Sequence, residues 1–437
     1  MTAASREALK ERLDAHREDM LCDLSALVSV KSRTDDIGAT RAALRFVIEK
    51  AEAWGMKSGY TSKMDAGYAE IGEGEETVGV LVHVDVVDAG DPARWPFDPF
   101  ALHLTGDGFL HGRGVADDKG PAIVCLYVLR TFMELGVPLG RKLRLIVGTS
   151  EERSWTDMAH YAAEFGMPDF GFSPDGDFPI FNIEKGYCDM RLIFPETGLL
   201  DEIERAHSGQ SPNSVPSKAA FKRRGREERV FAGVAAHSSV PREGDNALLK
   251  LARAAADEGF CFGRFIADMF PDEFASPLGL GDGGDTYEGI FVGRTVACPT
   301  VLRKTDEGIM LNVNIRLRYG TGRARLEDAF ARRADEYGYT FSVSEYTPPM
   351  MVNPRQPFLQ QMLAVYRSFG YPGGFEVADG ASYAAAMRNC VCFGPVFPGE
   401  LSSAHMEDER ISLESLMRAG LVYAEVLRAL GSGSGGN

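Results

Sequence analysis

The 437-residue sequence predicts an α/β domain built on a mainly parallel sheet and interrupted by an inserted α+β domain with an antiparallel sheet. Two apolar runs of strand length, residues 78–87 and 143–149, are separated by a helical segment at 121–135. Continuous apolar strands that alternate with helices are typical of a parallel sheet covered on both faces. After Asp175 the segments shorten, and residues 310–318 alternate apolar and polar side chains, which indicates an antiparallel sheet with one wet face.

The flanking segments complete this prediction. Amphipathic spacing predicts helices over 5–29 and 41–54, and the α/β character returns near residue 378 with a helical turn at 383–387, a buried strand at 391–393 and a helix at 413–430. A chain of this length has room for two domains. We therefore expect a discontinuous catalytic domain, residues 1–178 and 379–437, and an inserted lid domain, residues 179–378.

Composition excludes several classes of function. The net charge of −16 argues against a nucleic-acid partner, because a phosphate-binding surface needs an excess of Lys and Arg. No run of about 18 apolar residues is present, so we expect no membrane span. The start of the chain lacks an apolar signal segment, and the seven Cys residues lack CxxC spacing. These features predict a cytoplasmic protein with reduced thiols.

Two polar residues interrupt the first apolar run. His83 and Asp85 stand two positions apart, so both side chains would emerge on one face of a strand. The carboxyl ends of strands are where open α/β sheets form their sites. Burying such a pair is costly unless the two groups satisfy each other or bind a metal ion. The pair indicates either a metal ligand with a supporting acid or a paired His and Asp of the core.

Four further segments carry acidic or imidazole side chains in loops that follow predicted strands. They are GRGVADDKGP with Asp117 and Asp118, GTSEE with Glu151 and Glu152, SPDG with Asp175, and the loop that contains His405. Each one alone could be a solvated turn or a helix cap. Together they bring imidazole and carboxylate ligands without cysteine to neighbouring loops. Such a set suits Zn²⁺ and tolerates Mn²⁺ or Co²⁺.

The ordered motifs of the chain resemble those of the M20 metallopeptidases, and within them the peptidase V-type bacterial dipeptidases. The motifs that carry this resemblance are HVDVV (83–87), WPFDPF (95–100), GRGVADDKGP (112–121), GTSEE (148–152), SPDGDFP (173–179), NSVP (213–216), AAHSSVPREGDNA (235–247), ASYAAA (381–386) and FGPVFPGELSSAHMEDE (393–409). They extend over nearly the whole chain.

The resemblance implies a centre of two zinc ions, with Mn²⁺ or Co²⁺ as possible substitutes. His83 and Asp175 would bind one ion, Glu152 and His405 would bind the other, and Asp117 would bridge both.

The resemblance also implies the supporting and reacting groups. Asp85 would hold the imidazole of His83, and the peptide bond between Asp117 and Asp118 would be cis. Glu151 would be the general base for a metal-bridging hydroxide and would then protonate the leaving amine.

Three residues of the inserted domain would act on the substrate by the same resemblance. His237 would stabilise the tetrahedral oxyanion, Asn213 would contact the substrate, and Arg318 would hold its terminal carboxylate. Arg316 lies on the same strand face and is the second choice for the carboxylate.

The function implied is a zinc-dependent dipeptidase that acts on unblocked dipeptides, a small peptide being its partner. The nearest alternative is an N-acyl amino-acid deacylase, such as a desuccinylase, on the same metal site. A non-catalytic binding protein is a further alternative, but it would be expected to lack Glu151 or one of the ligands. We expect a monomer, with a dimer as the alternative.

Overall fold

The computed structural model describes residues 5–433 and divides the chain into two compact units. The first unit comprises Met1–Asn182, Val352–Glu376 and Ser382–Asn437. The second comprises Ile183–Met351 and Val377–Ala381. Residues 1–4 and 434–437 of the predicted catalytic domain lie outside the described residues.

A mixed, largely parallel sheet forms the centre of the first unit. Among the described residues, seven of its nine strands lie in the order Lys57–Tyr60, Ala66–Ile71, Lys142–Gly148, Thr77–His83, Phe170–Ser173, Cys390–Cys392 and Ile180–Glu184. The four strands from Lys142–Gly148 to Cys390–Cys392 are parallel, and the flanking pairs are antiparallel. The central strand Thr77–His83 is buried along its whole length, which explains its continuous apolar sequence.

Helices cover this sheet because each carries an apolar stripe. They are Arg6–Ala15, Arg17–Ser29, Ile37–Ala53, Lys119–Leu135, Thr156–Phe165, Pro357–Ser368 and Leu413–Gly431. The helix predicted over 5–29 is interrupted at His16, whose imidazole nitrogen lies 2.8 Å from the carboxylate of Glu134. Among residues 5–433, no helix is both long and apolar enough to cross a membrane.

The second unit is built on a seven-stranded sheet in which all neighbouring strands are antiparallel. The strand order is Arg229–Ala232, Lys218–Arg223, Ile203–Ser208, Val296–Lys304, Ile309–Leu317, Gly186–Phe194 and Thr340–Thr347. Helices Ala247–Ala256, Cys261–Met269 and Arg323–Tyr337 share a hydrophobic core with it. The predicted fold class is confirmed.

The remaining elements are short. The strands are His103–Leu104, Phe109–His111, Gly176–Asp177, Thr286–Tyr287, Ile290–Phe291, Met350–Met351, Phe375–Ala378, Pro395–Val396 and Arg410–Ser412. The 3₁₀ turns are Pro92–Arg94, Leu200–Glu202, Pro241–Glu243, Ser276–Leu278 and Tyr383–Ala386.

The unit boundaries differ from the predicted ones at residues 179–182, 352–376 and 379–381, of which 352–376 is the longest segment. Sequence analysis assigned residues 352–376 to the inserted domain, whereas the structure includes them in the first unit. The reason is apolar burial: Phe358, Leu359 and Met362 of the helix Pro357–Ser368 belong to the core of the first unit. Amphipathic spacing predicts that a helix buries one face, but not which of two cores receives it.

Candidate metal centre

Three neighbouring parallel strands of the first unit deliver acidic and imidazole side chains to one edge of the sheet. His83 is the last residue of the strand Thr77–His83. Glu151 and Glu152 are the third and fourth residues after the end of the strand Lys142–Gly148. Asp175 follows the strand Phe170–Ser173 on the other side. Because the strands are parallel and in register, their carboxyl ends meet at this edge.

Asp117 and Asp118 reach the same edge from the turn before the helix Lys119–Leu135. The peptide bond between them is cis, as the resemblance implied. Gly120 has to be a glycine, because a Cβ atom at this position would lie 2.1 Å from the carbonyl oxygen of Val115. The turn is thus packed tightly against the start of the helix.

The side chain of Asp117 lies between two histidines. Its Oδ1 is 2.9 Å from His83 Nε2, and its Oδ2 is 3.1 Å from His405 Nε2. His83 Nε2 is also 3.8 Å from Asp175 Oδ2, and His405 Nε2 is 2.9 Å from Glu152 Oε1. Two sets of candidate ligands therefore share one carboxylate, each oxygen of which faces a different imidazole.

Two of the predicted ligands carry buried polar atoms that a cation could bind. His83 Nε2 and Asp117 Oδ1 are both buried and lie 2.9 Å apart, but within the described part of the chain neither atom makes a hydrogen bond of acceptable geometry. Buried polar atoms without partners are rare in folded proteins, so such a pair requires a reason. Two groups of possible ligands have all their ligand atoms within 4.8 Å of one another: His83, Glu151 and Asp175, and His83, Asp117 and Glu152.

The electrostatics of the cluster favour a positive charge. Burial and the charge of Asp175 raise the pKa of Glu151 well above its usual range. Burial and the charge of Asp117 likewise raise the pKa of Asp175 to about 8. The carboxylates of Asp117 and Glu152 raise the pKa of His405 to about 11. Carboxylates packed this closely repel one another, and a divalent cation would relieve that repulsion.

Asp85 lies beyond the end of its strand, which stops at His83, so the prediction that both residues belong to the strand was wrong. His83 Nδ1 is 2.9 Å from the carbonyl oxygen of Asp85 and 3.4 Å from its Oδ1. The carboxylate accepts hydrogen bonds from the backbone N–H groups of Glu151 and Glu152, each at 3.2 Å. Its oxygen also accepts from the hydroxyl of Thr34 at 2.8 Å. Asp85 thus connects the imidazole to the turn that carries both glutamates.

Three predicted site residues lie in the second unit. His237 Nδ1 is 2.7 Å from the Ser239 hydroxyl oxygen and accepts from the Ser239 N–H at 3.3 Å. The carbonyl oxygen of Asn213 accepts from the backbone N–H of Ser238 at 3.0 Å. Arg318 follows the strand Ile309–Leu317 and is buried.

Sequence reasoning missed two buried acids next to these loops. Asp157 accepts hydrogen bonds from the backbone N–H groups of Thr149 and Ser150, just before the two glutamates, and from the hydroxyl of Tyr383. Glu409 accepts from the backbone of the Asp117 turn. Only the acidic run after His405 gave a sequence signal for Glu409, and that run is also typical of a solvated surface.

Comparison with known proteins shows the family of this chain. The sequence profile of peptidase family M20/M25/M40 matches residues 79–429. The chain belongs to this family. This M20 peptidase is 29% identical over 467 residues to the Bacillus subtilis (strain 168) protein named "Putative dipeptidase YtjP", with 95% of this chain and 97% of that protein covered. It is 25% identical over 476 residues to the Staphylococcus aureus (strain bovine RF122 / ET3-1) protein named "Putative dipeptidase SAB1611c", with 96% and 99% covered.

Solved structures share the fold of this M20 peptidase. The dipeptidase Dug1p from Saccharomyces cerevisiae superimposes with a TM-score of 0.65 at 13% identity, over 99% of this chain and 100% of that one. Human carnosine dipeptidase 1 superimposes with a TM-score of 0.62 at 12% identity, over 98% and 100%. The protein is therefore a hydrolase that acts on peptide bonds, in a metal-dependent family and with residues that could hold a metal ion.

Proposed function

We propose that this M20 peptidase is a dipeptidase that hydrolyses the amide bond of unblocked dipeptides at a centre of two zinc ions. The observation that carries the proposal is the position of Asp117, whose two oxygens face the imidazoles of two different histidines. Dipeptidase names among the relatives that match nearly the whole chain support the substrate class. Mn²⁺ and Co²⁺ remain chemically acceptable substitutes for zinc.

The ligand assignment follows the two sets of contacts. His83 and Asp175 would hold one ion, Glu152 and His405 the other, and Asp117 both. When bound, the two cations would lower the pKa of a water molecule and polarise the scissile carbonyl.

Glu151 moves the proton in this proposal. Its carboxylate lies within 4.8 Å of potential ligand atoms of His83 and Asp175, and its raised pKa suits a group that has to accept a proton and release it again. It would take the proton of the attacking water and deliver it to the nitrogen of the leaving amine. Asp85 would keep Glu151 in place through the backbone hydrogen bond described above.

His237 would supply a hydrogen-bond donor to the oxyanion. Because Nδ1 accepts the N–H of Ser239, the proton of a neutral imidazole is on Nε2. Asn213 would contact the substrate, and its Oδ1 is 3.2 Å from the hydroxyl oxygen of Tyr187.

The test of this function compares substrates and metals. Metal-free enzyme prepared with a chelator should be inactive, and added Zn²⁺ should restore hydrolysis of a dipeptide such as Ala-Leu. N-acyl amino acids, N-succinyl amino acids among them, should be poor substrates in the same assay. Faster turnover of the N-acyl compounds would favour the alternative function, an N-acyl amino-acid deacylase. Full activity without metal would contradict the proposed metal centre.

Arg318 should select substrates by length, because it would bind their terminal carboxylate. Its Nη2 donates to the carbonyl oxygen of Thr286 at 2.5 Å, while its buried Nε has no hydrogen-bond partner among residues 5–433. A buried guanidinium of this kind suits a substrate carboxylate. Each added residue moves that carboxylate by about 3.5 Å. We expect kcat/KM for a dipeptide to exceed that for its C-terminal amide by about a hundredfold, since a buried charge left unpaired costs a few kcal/mol.

The control for this role of Arg318 is the neighbouring arginine, Arg316. Arg316 is also buried, and its Nε likewise has no hydrogen-bond partner among residues 5–433. It differs in that its guanidinium lies over the ring of Tyr187, while its Nη1 donates to the carbonyl oxygen of Asp379 at 3.0 Å. Arg318→Ala should abolish most of the preference for the free acid, and Arg316→Ala should retain it. Loss of the preference in Arg316→Ala alone would mean that Arg316 binds the substrate carboxylate. Equal rates for the free acid and the amide on the wild-type enzyme would refute selection by length.

A further inference from the structure

A buried carboxylate holds the backbone of the turn that presents Asp117. Glu409 is completely buried. Its Oε1 accepts hydrogen bonds from the backbone N–H groups of Ala116 at 2.9 Å and Asp117 at 3.2 Å. Its Oε2 accepts from the backbone N–H of Gly114 at 2.9 Å and from Arg113 Nη1 at 2.8 Å. Four donors thus converge on one side chain, three of them from the backbone of a single turn.

Glu409 also belongs to the loop that carries His405. It follows that histidine by four residues and immediately precedes the strand Arg410–Ser412, which pairs antiparallel with Phe109–His111. Its own carbonyl oxygen accepts from the backbone N–H of Gly112 at 3.1 Å. The loop is closed by Ser403, whose hydroxyl donates to the carbonyl oxygen of Arg410 at 2.8 Å. One residue therefore ties the His405 loop to the Asp117 turn through both its main chain and its side chain.

The charge arrangement shows that this contact is specific. A second carboxylate buried beside Asp117 is unfavourable unless cations and donors compensate it. Arg113 supplies the cation, is itself 1% exposed, and lies with its guanidinium 5.3 Å from the ring centre of Trp95. A neutral side chain of similar shape could not satisfy three N–H groups and this buried arginine together. Both oxygens of the Glu409 carboxylate are needed as acceptors for these four donors.

We propose that Glu409 is a positioning residue that fixes the bridging carboxylate of Asp117 relative to His405 and thereby sets the affinity for both metal ions. The inference rests on the proposed metal centre, and it concerns metal affinity rather than catalysis. Groups that orient metal ligands through hydrogen bonds commonly change metal affinity by 10–100-fold when they are removed.

The test measures zinc binding directly. Zn²⁺ is titrated into metal-free protein in competition with a chromophoric chelator, which yields dissociation constants without any peptide substrate. Glu409→Gln should weaken zinc binding about 10–100-fold. Glu409→Asp keeps the charge but shortens the side chain, so it should retain the contact with Arg113, reach fewer of the N–H groups and weaken binding to an intermediate degree.

The matched control is a buried carboxylate of the same kind in the other unit. Glu196 accepts from the backbone N–H groups of Cys261 at 3.0 Å and Phe262 at 2.7 Å. Glu196→Gln should lower the melting temperature without changing the affinity for zinc, which separates loss of stability from loss of ligand geometry.

The outcomes are distinct. Weaker zinc binding in the Glu409 variants and wild-type binding in Glu196→Gln would support the inference. If Glu409→Gln does not fold, Glu409→Asp decides by the same measurement. Wild-type zinc affinity in a folded Glu409 variant would overturn the positioning role, even where the melting temperature falls. That result would leave the proposed dipeptidase activity intact, whereas failure of the wild type to bind zinc would refute the metal centre itself.

Discussion

Glu151→Gln is expected to lower dipeptide turnover about 10²–10⁴-fold, the usual contribution of a general acid–base group, while both metal ions stay bound. The amide is close to the carboxylate in shape but cannot accept the proton of the attacking water. The measurement is kcat for a dipeptide on zinc-loaded enzyme, with elemental analysis of the same sample. An exposed glutamate of the first unit provides the control, since Glu73→Gln should retain wild-type kcat and metal content.

The metal analysis decides between two roles for Glu151. Its carboxylate lies close enough to His83 and Asp175 to be a ligand as well as a base. Glu152→Ala, which removes a proposed ligand, should lower the metal stoichiometry and provides the reference for ligand loss. If Glu151→Gln loses metal to the same extent, Glu151 is a ligand. If it retains both metal and turnover, another group moves the proton.

His237→Ala should lower kcat about 10²–10³-fold without loss of metal, as expected when one donor to an oxyanion is removed. The donor acts on charge that develops during the reaction, so KM should change much less than kcat. His207 provides the matched control, because it is another histidine of the second unit, on the strand Ile203–Ser208, with no proposed role. His207→Ala should retain wild-type kinetics. Parallel loss of metal and activity in His237→Ala would make His237 a ligand and contradict the division of roles.

The sequence predicted the parts of the fold that depend on a local pattern. The buried strand Thr77–His83 is apolar from Val78 to Val82, and the alternating strand Ile309–Leu317 belongs to an antiparallel sheet. In both strands the side-chain pattern indicated the type of sheet. His83, Glu151 and Asp175 were also recognisable as candidates. His83 lies within a predicted strand, Glu151 and Asp175 follow predicted strands, and parallel strands bring such positions together.

Other features depend on contacts between distant segments and leave little local signal. Glu409 lies nearly 300 residues after Asp117 in the sequence, yet its carboxylate accepts hydrogen bonds from the backbone N–H groups of Ala116 and Asp117. Nothing within the acidic run around Glu409 distinguishes a buried acid from a solvated one. The helix Pro357–Ser368 likewise has an apolar stripe that fits either of two cores. Which core it joins is decided by packing, and packing is a property of the whole chain.

The path of the chain through the two units affects the order in which they can fold during translation. In the first unit, the strand Phe170–Ser173 pairs with Cys390–Cys392, more than 200 residues later, so this sheet stays incomplete until the last part of the chain has been synthesised. The second unit is almost one continuous segment, Ile183–Met351, and needs only Val377–Ala381 besides. We expect the second unit to acquire structure first during translation, whereas the proposed metal ligands of the first unit can come together only after His405 has been synthesised.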